Sequence, residues 1–118
     1  MIRLENILEK EVVSELIKRG FKVQEHASIK GFDVDVVAEN PETKKKCFVE
    51  IREAMPGLTS GMIGFCRVKK DNSSFFAFIS PKGVSENAEN IAKDCGINVF
   101  RTLNDFSVGL STYANLNR

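Results

Sequence analysis

Two short acidic segments separated by a compact turn constrain this fold more than any other feature. Residues 32–37 read Phe-Asp-Val-Asp-Val-Val, and residues 47–52 read Cys-Phe-Val-Glu-Ile-Arg. Both segments have the composition and alternation typical of β-strands, and an Asn-Pro pair between them favours a hairpin turn. With the turn centred between Glu42 and Thr43, the numbers of facing residues add up to 85. The two segments therefore predict an antiparallel hairpin in a defined register.

In this register two carboxylates face each other. Asp35 lies opposite Glu50 and Asp33 lies opposite Arg52, and all four side chains share one face because they are two residues apart along each strand. Facing Cβ atoms are roughly 4.5–5.5 Å apart, so the carboxylates repel each other by roughly 3–4 kcal/mol at a surface-like dielectric. A divalent cation between them turns this repulsion into attraction, and Mg²⁺ is held by a few carboxylate oxygens plus water. The hairpin is therefore predicted to carry a metal site, with these residues on its other face: Val34, Val36, Val49 and Ile51.

The first segment of the chain adds a third carboxylate. Residues 3–19 predict a helix that ends at Gly20, with one apolar arc made of Val12, Val13, Leu16 and Ile17. Glu9 falls inside this arc. A glutamate on a core-facing stripe is costly unless its charge is satisfied, so Glu9 is a candidate site residue. The alternative is that Glu9 borders the stripe and reaches water.

The remaining pattern predicts an α/β fold in the order α-β-β-β-α-β-α-β. Strands are predicted at residues 21–25, 32–39, 46–52, 74–79 and 97–100, and further helices at 59–69 and at 86–95 between Ser85 and Gly96. The strand–helix alternation from 46 to 100 predicts parallel pairing with right-handed crossovers. The apolar residues of the tail are expected to dock on the core or on a second subunit: Phe106, Val108, Leu110, Tyr113 and Leu116.

Composition limits the classes of function. A chain of 118 residues is expected to form one domain over residues 1–118. The net charge of +1 excludes a globally basic nucleic-acid binder, although two lysine groups can contact phosphates or can simply be solvated: Lys44, Lys45 and Lys46, and Lys69 and Lys70. His26 is the only histidine, which excludes a multi-histidine metal site within one chain, and it is expected at the surface end of a strand.

The cysteines and the apolar runs bear on location. Cys47, Cys66 and Cys95 have no CxxC spacing and are expected to be buried thiols. The apolar runs are too short to span a membrane, and the N-terminus lacks the shape of a signal peptide. These features predict a cytoplasmic protein with no membrane partner.

The order of these segments resembles the restriction-endonuclease-like superfamily, the PD-(D/E)xK nucleases, and within it the Mrr-type domains and the archaeal Holliday-junction resolvases. The matching stretches cover residues 4–102 and are 8–16 with 20–21, 31–38, 48–52, and 78–85 with 88–92. The resemblance implies a three-layer α/β/α fold with a mixed central sheet. It also implies Mg²⁺- or Mn²⁺-dependent cleavage of duplex or branched DNA by a homodimer.

The resemblance also assigns roles to residues. Glu9 corresponds to the family's helix glutamate, Asp35 to its metal-binding aspartate and Glu50 to its second acidic ligand. The implied metal ligands are Asp35, Glu50 and the Ile51 carbonyl, with Glu9 ligating directly or through water. Arg52 stands where the family most often has a lysine; arginine keeps the positive charge but cannot act as a base. It also faces Asp33, with which it can form an ion pair.

Two functions follow from these assignments. The first is a metal-dependent DNA endonuclease in which Arg52 stabilises charge in the transition state. The second is a catalytically inactive relative that serves as a nucleic-acid-binding or assembly subunit. A metabolic α/β domain has less support, because the sequence contains neither a P-loop nor a GxGxxG motif.

Overall fold

The structure is a computed structural model, and it describes residues 4–29, 32–52 and 74–116. Its elements in chain order are α1 (Leu4–Lys18), β1 (Lys22–Ile29), β2 (Phe32–Glu39), β3 (Lys46–Ile51), β4 (Ser74–Ile79), α2 (Glu86–Cys95), β5 (Asn98–Phe100) and α3 (Leu103–Leu116). The helix predicted at 59–69 lies outside the described residues, as do Lys69 and Lys70.

The five strands form one mixed sheet in the order β1-β2-β3-β4-β5. The first two pairings are antiparallel and the last two are parallel; the sequence predicts the orientation of the last three. The β2–β3 pairs run from Glu39↔Lys46 to Val36↔Val49, so the predicted register, with facing numbers adding up to 85, is confirmed. The first strand is longer than predicted, because β1 continues past residue 25 to Ile29.

Helices cover both faces of the sheet, which confirms the three-layer α/β/α arrangement. On one face α1 and α3 enclose a core with alternate residues of β2, β3 and β4. On the other face α2 packs Ala88 and Ala92 against Phe76 and Phe78. The strand β4 contributes to both cores because Phe75 and Phe76 point to opposite faces. Such a continuously apolar strand is typical of a sheet that is buried on both sides.

The helix α1 buries a different stripe from the one predicted. Leu8, Val12 and Leu16 are buried at successive i, i+4 positions, whereas Ile17 is exposed. One residue turns the helix by about 100°, so the stripe through Leu16 carries Ile17 away from the sheet. Assigning Ile17 to the core was therefore wrong, and Glu9 lies beside the stripe's first member.

The helix α2 begins and ends as predicted. The Ser85 hydroxyl accepts a hydrogen bond from the backbone amide of Ala88 (3.2 Å) and so caps the N-terminus. Gly96 has φ 72° and closes the C-terminus in the left-handed conformation, which favours glycine. Both ends are thus determined by local sequence.

The tail forms α3 and docks on the core of the same chain. Phe106, Leu110 and Tyr113 are buried, whereas Val108 is exposed. Gly109 allows a close approach, because a Cβ atom there would lie 2.5 Å from Cζ of Phe100. The core is therefore the docking partner of this segment, one of the two that the sequence left open.

The cysteines differ from the prediction in one respect. Cys47 is free and buried, and burial raises the pKa of its thiol. Cys95 is disulfide-bonded, so the expectation of a thiol was wrong there. None of the described helices is long and apolar enough to cross a membrane.

Candidate functional site

The site lies where the β2–β3 ladder gives way to side-chain hydrogen bonds. Beyond the Val36↔Val49 pair, the Asp35 backbone amide donates to Oε1 of Glu50 (2.8 Å). The Ile51 amide in turn donates to Oδ2 of Asp35 (2.8 Å). Each carboxylate thus accepts the backbone N–H of the opposite strand, in the place where a ladder carbonyl would accept it. The facing carboxylates predicted from the sequence are held by the hairpin itself.

Arg52 lies against three oxygens of this end of the hairpin. Its Nη1 is 2.9 Å from Oδ2 of Asp35 and 2.8 Å from the Ile51 carbonyl oxygen, and its Nη2 is 2.6 Å from Oε2 of Glu50. These belong to the three groups that the sequence assigned to a metal ion. The prediction that Asp33 faces Arg52 was wrong, because the ladder ends before residues 33 and 52; the Asp33 side chain is exposed, and Arg52 pairs with Asp35 and Glu50 in place of the possible ion pair with Asp33.

The strand β2 changes the face of its side chains within the site. Val36 belongs to the core under α1, whereas Val34 packs in the core under α2, so the prediction that both share a face was wrong. The change falls at Asp35, whose partner position in β1 is His26. His26 has φ 53°, a left-handed conformation that interrupts regular strand geometry.

This interruption brings the β1 strand into the site. His26 Nε2 lies 3.1 Å from Oε2 of Glu9, and the side chain of Glu25 also shares a hydrogen bond with Glu9. Neighbouring residues of a regular strand point to opposite faces, so the positive φ of His26 is what allows both side chains to reach Glu9. The expectation that His26 lies at a strand end was wrong: it is in the middle of β1, although its side chain is 66% exposed.

Asp35 connects the two halves of the site. One ligand atom each from Glu9, His26 and Asp35 lie within 4.8 Å of one another, and Asp35 also contacts Arg52. Glu9 and Asp35 are largely buried, with 14% and 16% of their side chains exposed. The structure thus brings together all four predicted side chains, Glu9, Asp35, Glu50 and Arg52, and adds His26.

The site favours protonated carboxyl groups when no cation is bound. Burial raises the pKa of Glu9 to about 7, and the hydrogen bond with Glu25 and the charge of Asp35 act in the same direction, while His26 opposes them. Burial also raises the pKa of Glu50 to about 7, helped by the charge of Asp35 and opposed by Arg52. Both shifts express the cost of gathering negative charge away from water.

The donor set fits a divalent cation in one of two positions. The oxygens of Asp35, Glu50 and Ile51 are suited to a hard cation, but each of these residues already contacts the Arg52 guanidinium. The oxygens of Glu9 and Asp35, with the His26 nitrogen, form the second set, in which Asp35 alone also contacts Arg52. Both donor sets therefore fit a divalent cation, and which of them binds it depends on whether Arg52 keeps its contacts with Asp35, Glu50 and Ile51.

The predicted phosphate-binding lysines lie at the other end of the hairpin. Lys44 and Lys46 are exposed, and Lys45 lies over the Tyr113 ring with its Nζ 5.6 Å from the ring centre. Lys46 is four residues from Glu50, or roughly 13 Å along the strand. The three turn lysines therefore lie away from the carboxylate site and do not contact it.

Sequence reasoning missed two basic residues on the edge where β3, β4 and β5 end. Arg52 follows β3, and its amide donates to the Ile79 carbonyl of β4; Ser80 follows β4 and its amide donates to the Phe100 carbonyl of β5. Lys82 and Arg101 lie next along this edge and are exposed. Carboxyl ends of parallel strands share one edge, where ligands of open α/β sheets commonly bind. Lys82 and Arg101 could have been predicted by applying this rule to the residues that follow the predicted parallel strands.

Comparisons with known proteins identify the fold. No protein-family model matches the chain, and no curated protein matches its sequence. Among solved structures, a repair endonuclease from Pyrococcus abyssi matches with a TM-score of 0.59 and 17% identity, over 86% of this chain and 49% of that one. A protein of unknown function, AF1548, matches with a TM-score of 0.57 and 16% identity, over 78% of this chain and 55% of that one.

EndoMS in its apo form aligns less closely, with a TM-score of 0.48 and 13% identity, over 80% of this chain and 45% of that one. The chain spans about half the length of the solved structures it matches. The first two matches show that this chain shares the α/β fold of the repair endonuclease and of AF1548, whereas membership of the restriction-endonuclease-like superfamily stays a prediction. The Mrr-type or resolvase branch stays a prediction.

Proposed function

We propose that this chain is a metal-dependent DNA endonuclease that hydrolyses phosphodiester bonds. The observation that carries the proposal is the convergence of Glu9, Asp35, Glu50 and Arg52 at the open end of the hairpin. Three buried or half-buried carboxylates in one place cost stability. Binding a cation that contacts a substrate phosphate would explain why the fold keeps them together. The shared fold with a repair endonuclease supports the same reading.

Each side chain has a role in this proposal. Asp35 and Glu9 would hold the cation, and Glu50 with the Ile51 carbonyl would be further ligands if Arg52 contacted the substrate instead of them. When bound, a divalent ion polarises the scissile phosphate and lowers the pKa of a ligated water. Arg52 is 36% exposed, and its planar fork matches two phosphate oxygens. It stabilises the negative charge that develops on the phosphate.

The DNA backbone is proposed to lie along the carboxyl edge of the parallel strands. Lys82 and Arg101 extend the positive charge of Arg52 there, at strand spacings of roughly 5 Å. Lys44 and Lys46 would contact the backbone farther away, and Lys69 and Lys70 remain predicted contacts outside the described residues. Cutting both strands of a duplex calls for two sites, which a C2 homodimer would provide. The substrate is a duplex, as for Mrr-type enzymes, or a branched junction.

One observation favours a second function. The Arg52 guanidinium contacts Asp35, Glu50 and Ile51, the groups assigned to the metal, and so can replace the ion as their counter-charge. A chain in which this contact is permanent would bind DNA without cutting it. It would then serve as a nucleic-acid-binding or assembly subunit.

A cleavage assay separates the two functions. The purified protein is incubated with supercoiled plasmid and with a synthetic four-way junction, each with Mg²⁺, Mn²⁺ or EDTA, beside Asp35→Asn. Metal-dependent cutting that is lost in the variant supports the endonuclease, and the preferred substrate separates restriction from junction resolution. Retardation of DNA that weakens with salt, without cutting in either metal, would overturn the endonuclease and support the binding subunit.

A further inference from the structure

We infer that Glu9, His26 and Asp35 form a site for a divalent transition-metal ion, with the imidazole of His26 as a direct ligand. The inference deepens the proposed function, on which its biological use rests. It assigns to the cation a position beside Glu9 of α1 and His26 of β1, whereas Arg52 lies on the Glu50 and Ile51 oxygens. The two positions share the Asp35 carboxylate.

The first step of the argument is the geometry of the three ligand atoms. Glu9, His26 and Asp35 each offer one atom, and all three atoms lie within 4.8 Å of one another. Metal–oxygen and metal–nitrogen bonds to a divalent ion are about 2.0–2.2 Å, so atoms this close surround one ion after small side-chain rotations. The elements that carry them, α1, β1 and β2, pack directly together in one core.

The second step concerns the positive charge of Arg52, which already occupies the alternative position. The guanidinium of Arg52 lies on the Asp35, Glu50 and Ile51 oxygens. An ion entering between Asp35 and Glu50 must displace it and compete with three short contacts. An ion entering between Glu9 and Asp35 meets no such competitor among the described residues. It replaces the contacts of Glu9 with His26 and Glu25, and it shares the Asp35 carboxylate with Arg52.

The third step is access and ligand chemistry. The two carboxylates are largely buried while the imidazole is mostly exposed, so His26 stands at the mouth of the site and its ring can turn onto an arriving ion. Carboxylates alone suit Mg²⁺ and Mn²⁺, whereas an imidazole shifts preference toward ions such as Co²⁺, Ni²⁺ and Zn²⁺. The donor set therefore predicts that Co²⁺ binds more tightly than Mg²⁺.

The test uses the fact that His26 is the only histidine of the chain. Untagged protein without DNA is titrated with Co²⁺, and binding is followed by the visible absorption of the ion and by the paramagnetically shifted imidazole resonances in proton NMR. Such resonances can come from His26 alone. The same titration with Mg²⁺ is measured calorimetrically.

Two variants make the assignment specific. His26→Asn removes the imidazole and suits the left-handed backbone, which asparagine tolerates; it is expected to weaken Co²⁺ binding at least about 10-fold and to leave Mg²⁺ binding within about threefold. Glu50→Gln is expected to leave Co²⁺ binding within about threefold, because Glu50 is not a ligand in this position. Asp33→Asn, at an exposed neighbouring position, is the control for surface charge, and circular dichroism checks the fold of each variant.

The outcomes separate this inference from the proposed function. Shifted imidazole resonances with Co²⁺ binding that depends on His26 support the site, even if no metal supports cleavage, in which case only the proposed hydrolysis fails. Binding that depends on Glu50 and not on His26 overturns the inference and leaves the endonuclease standing. Failure of Co²⁺ to bind at millimolar concentration also overturns the inference, while cleavage is judged by its own assay.

Discussion

The two ends of the β2–β3 hairpin are built in opposite ways. At the turn, backbone groups of Asn40, Lys44 and Lys45 bond to one another, and the Asn40 side chain accepts the amides of the next turn residues. At the open end, Asp35 and Glu50 accept backbone amides across the hairpin, and Arg52 lies between them. Charge is exposed at the turn and largely buried at the open end. A hairpin needs the first arrangement to fold, whereas the second gathers buried charge at a cost that a bound ligand would offset.

The largest expected effect comes from Asp35→Asn. Cleavage should fall by about 1,000-fold or more, because the variant removes the charge shared by the cation and Arg52. The free energy of unfolding should change by less than about 1 kcal/mol, because the asparagine carbonyl can still accept the Ile51 amide and repulsion with Glu50 is relieved. Cleavage rates and urea unfolding measure the two effects, with Asp33→Asn as the exposed control that should alter neither. A loss of stability above about 3 kcal/mol would show that the carboxylate is there to hold the hairpin.

The second effect is a dependence of stability on pH. Because the pKa values of Glu9 and Glu50 are raised from 4.5 to about 7, the folded metal-free protein binds more protons than the unfolded chain between these values. Its free energy of unfolding should therefore decrease as pH rises from 5 to 8, by about 5 kcal/mol for both groups together. Urea midpoints at four pH values measure the trend.

Glu50→Gln serves as the control for this trend. It cannot titrate, so it should remove about half of the decrease between pH 5 and pH 8. Stability that stays flat or rises over this range in the parent protein would mean that both carboxylates remain ionised in the fold. The open end would then carry its charge without cost, and its contrast with the turn would disappear.

The turn end of the hairpin, and the elements around it, follow from local sequence. The register between Glu39↔Lys46 and Val36↔Val49 could be predicted because alternation and turn position determine it together. The ends of α2 at Ser85 and Gly96 could be predicted because capping depends on a few adjacent residues. Regular structure is predictable where each residue has one role.

The open end could be predicted only in part. The convergence of Asp35 and Glu50 follows from the register, but the partners of Arg52 do not, because the ladder has ended where Arg52 begins. His26 joins Glu9 through a backbone φ of 53°, which no alternation pattern signals. The helix α3 was likewise missed, because Ser107, Gly109 and Thr112 are weak helix formers and the apolar face becomes visible only against the core. These departures lie at the site and at its supporting helix.

The third expected effect concerns Arg52→Gln. The variant should lower the free energy of unfolding by about 2 kcal/mol at pH 8, because Glu50, whose side chain is 3% exposed, would lose the partner of its buried charge. The loss should be smaller at pH 6, where Glu50 binds a proton. Unfolding in urea at both pH values measures it.

Arg52→Lys keeps the positive charge and is the matched control. It should retain most of the stability, and it should raise cleavage, because one ammonium group cannot engage Asp35, Glu50 and the Ile51 carbonyl as a guanidinium does. A loss of cleavage in this variant would mean that arginine is the adapted residue. Equal stability of the glutamine variant at both pH values would contradict the burial of an ionised Glu50.

The smallest expected effect is at the turn, from Asn40→Ala. The variant removes the acceptor for the amides of Glu42 (2.9 Å) and Thr43 (3.2 Å), and it should lower the free energy of unfolding by about 1 kcal/mol. Lys44→Gly is its counterpart, expected to raise stability by about 0.5 kcal/mol because Lys44 has φ 65° and glycine adopts that conformation freely. Asn40→Ala should cleave within about twofold of the parent, since the turn lies more than roughly 13 Å from Glu50; Lys44→Gly also removes a proposed DNA contact and is therefore compared with the parent for stability only. If Asn40→Ala instead loses cleavage while remaining folded, the conformation of the turn matters for DNA binding, and both ends of the hairpin contribute to cleavage.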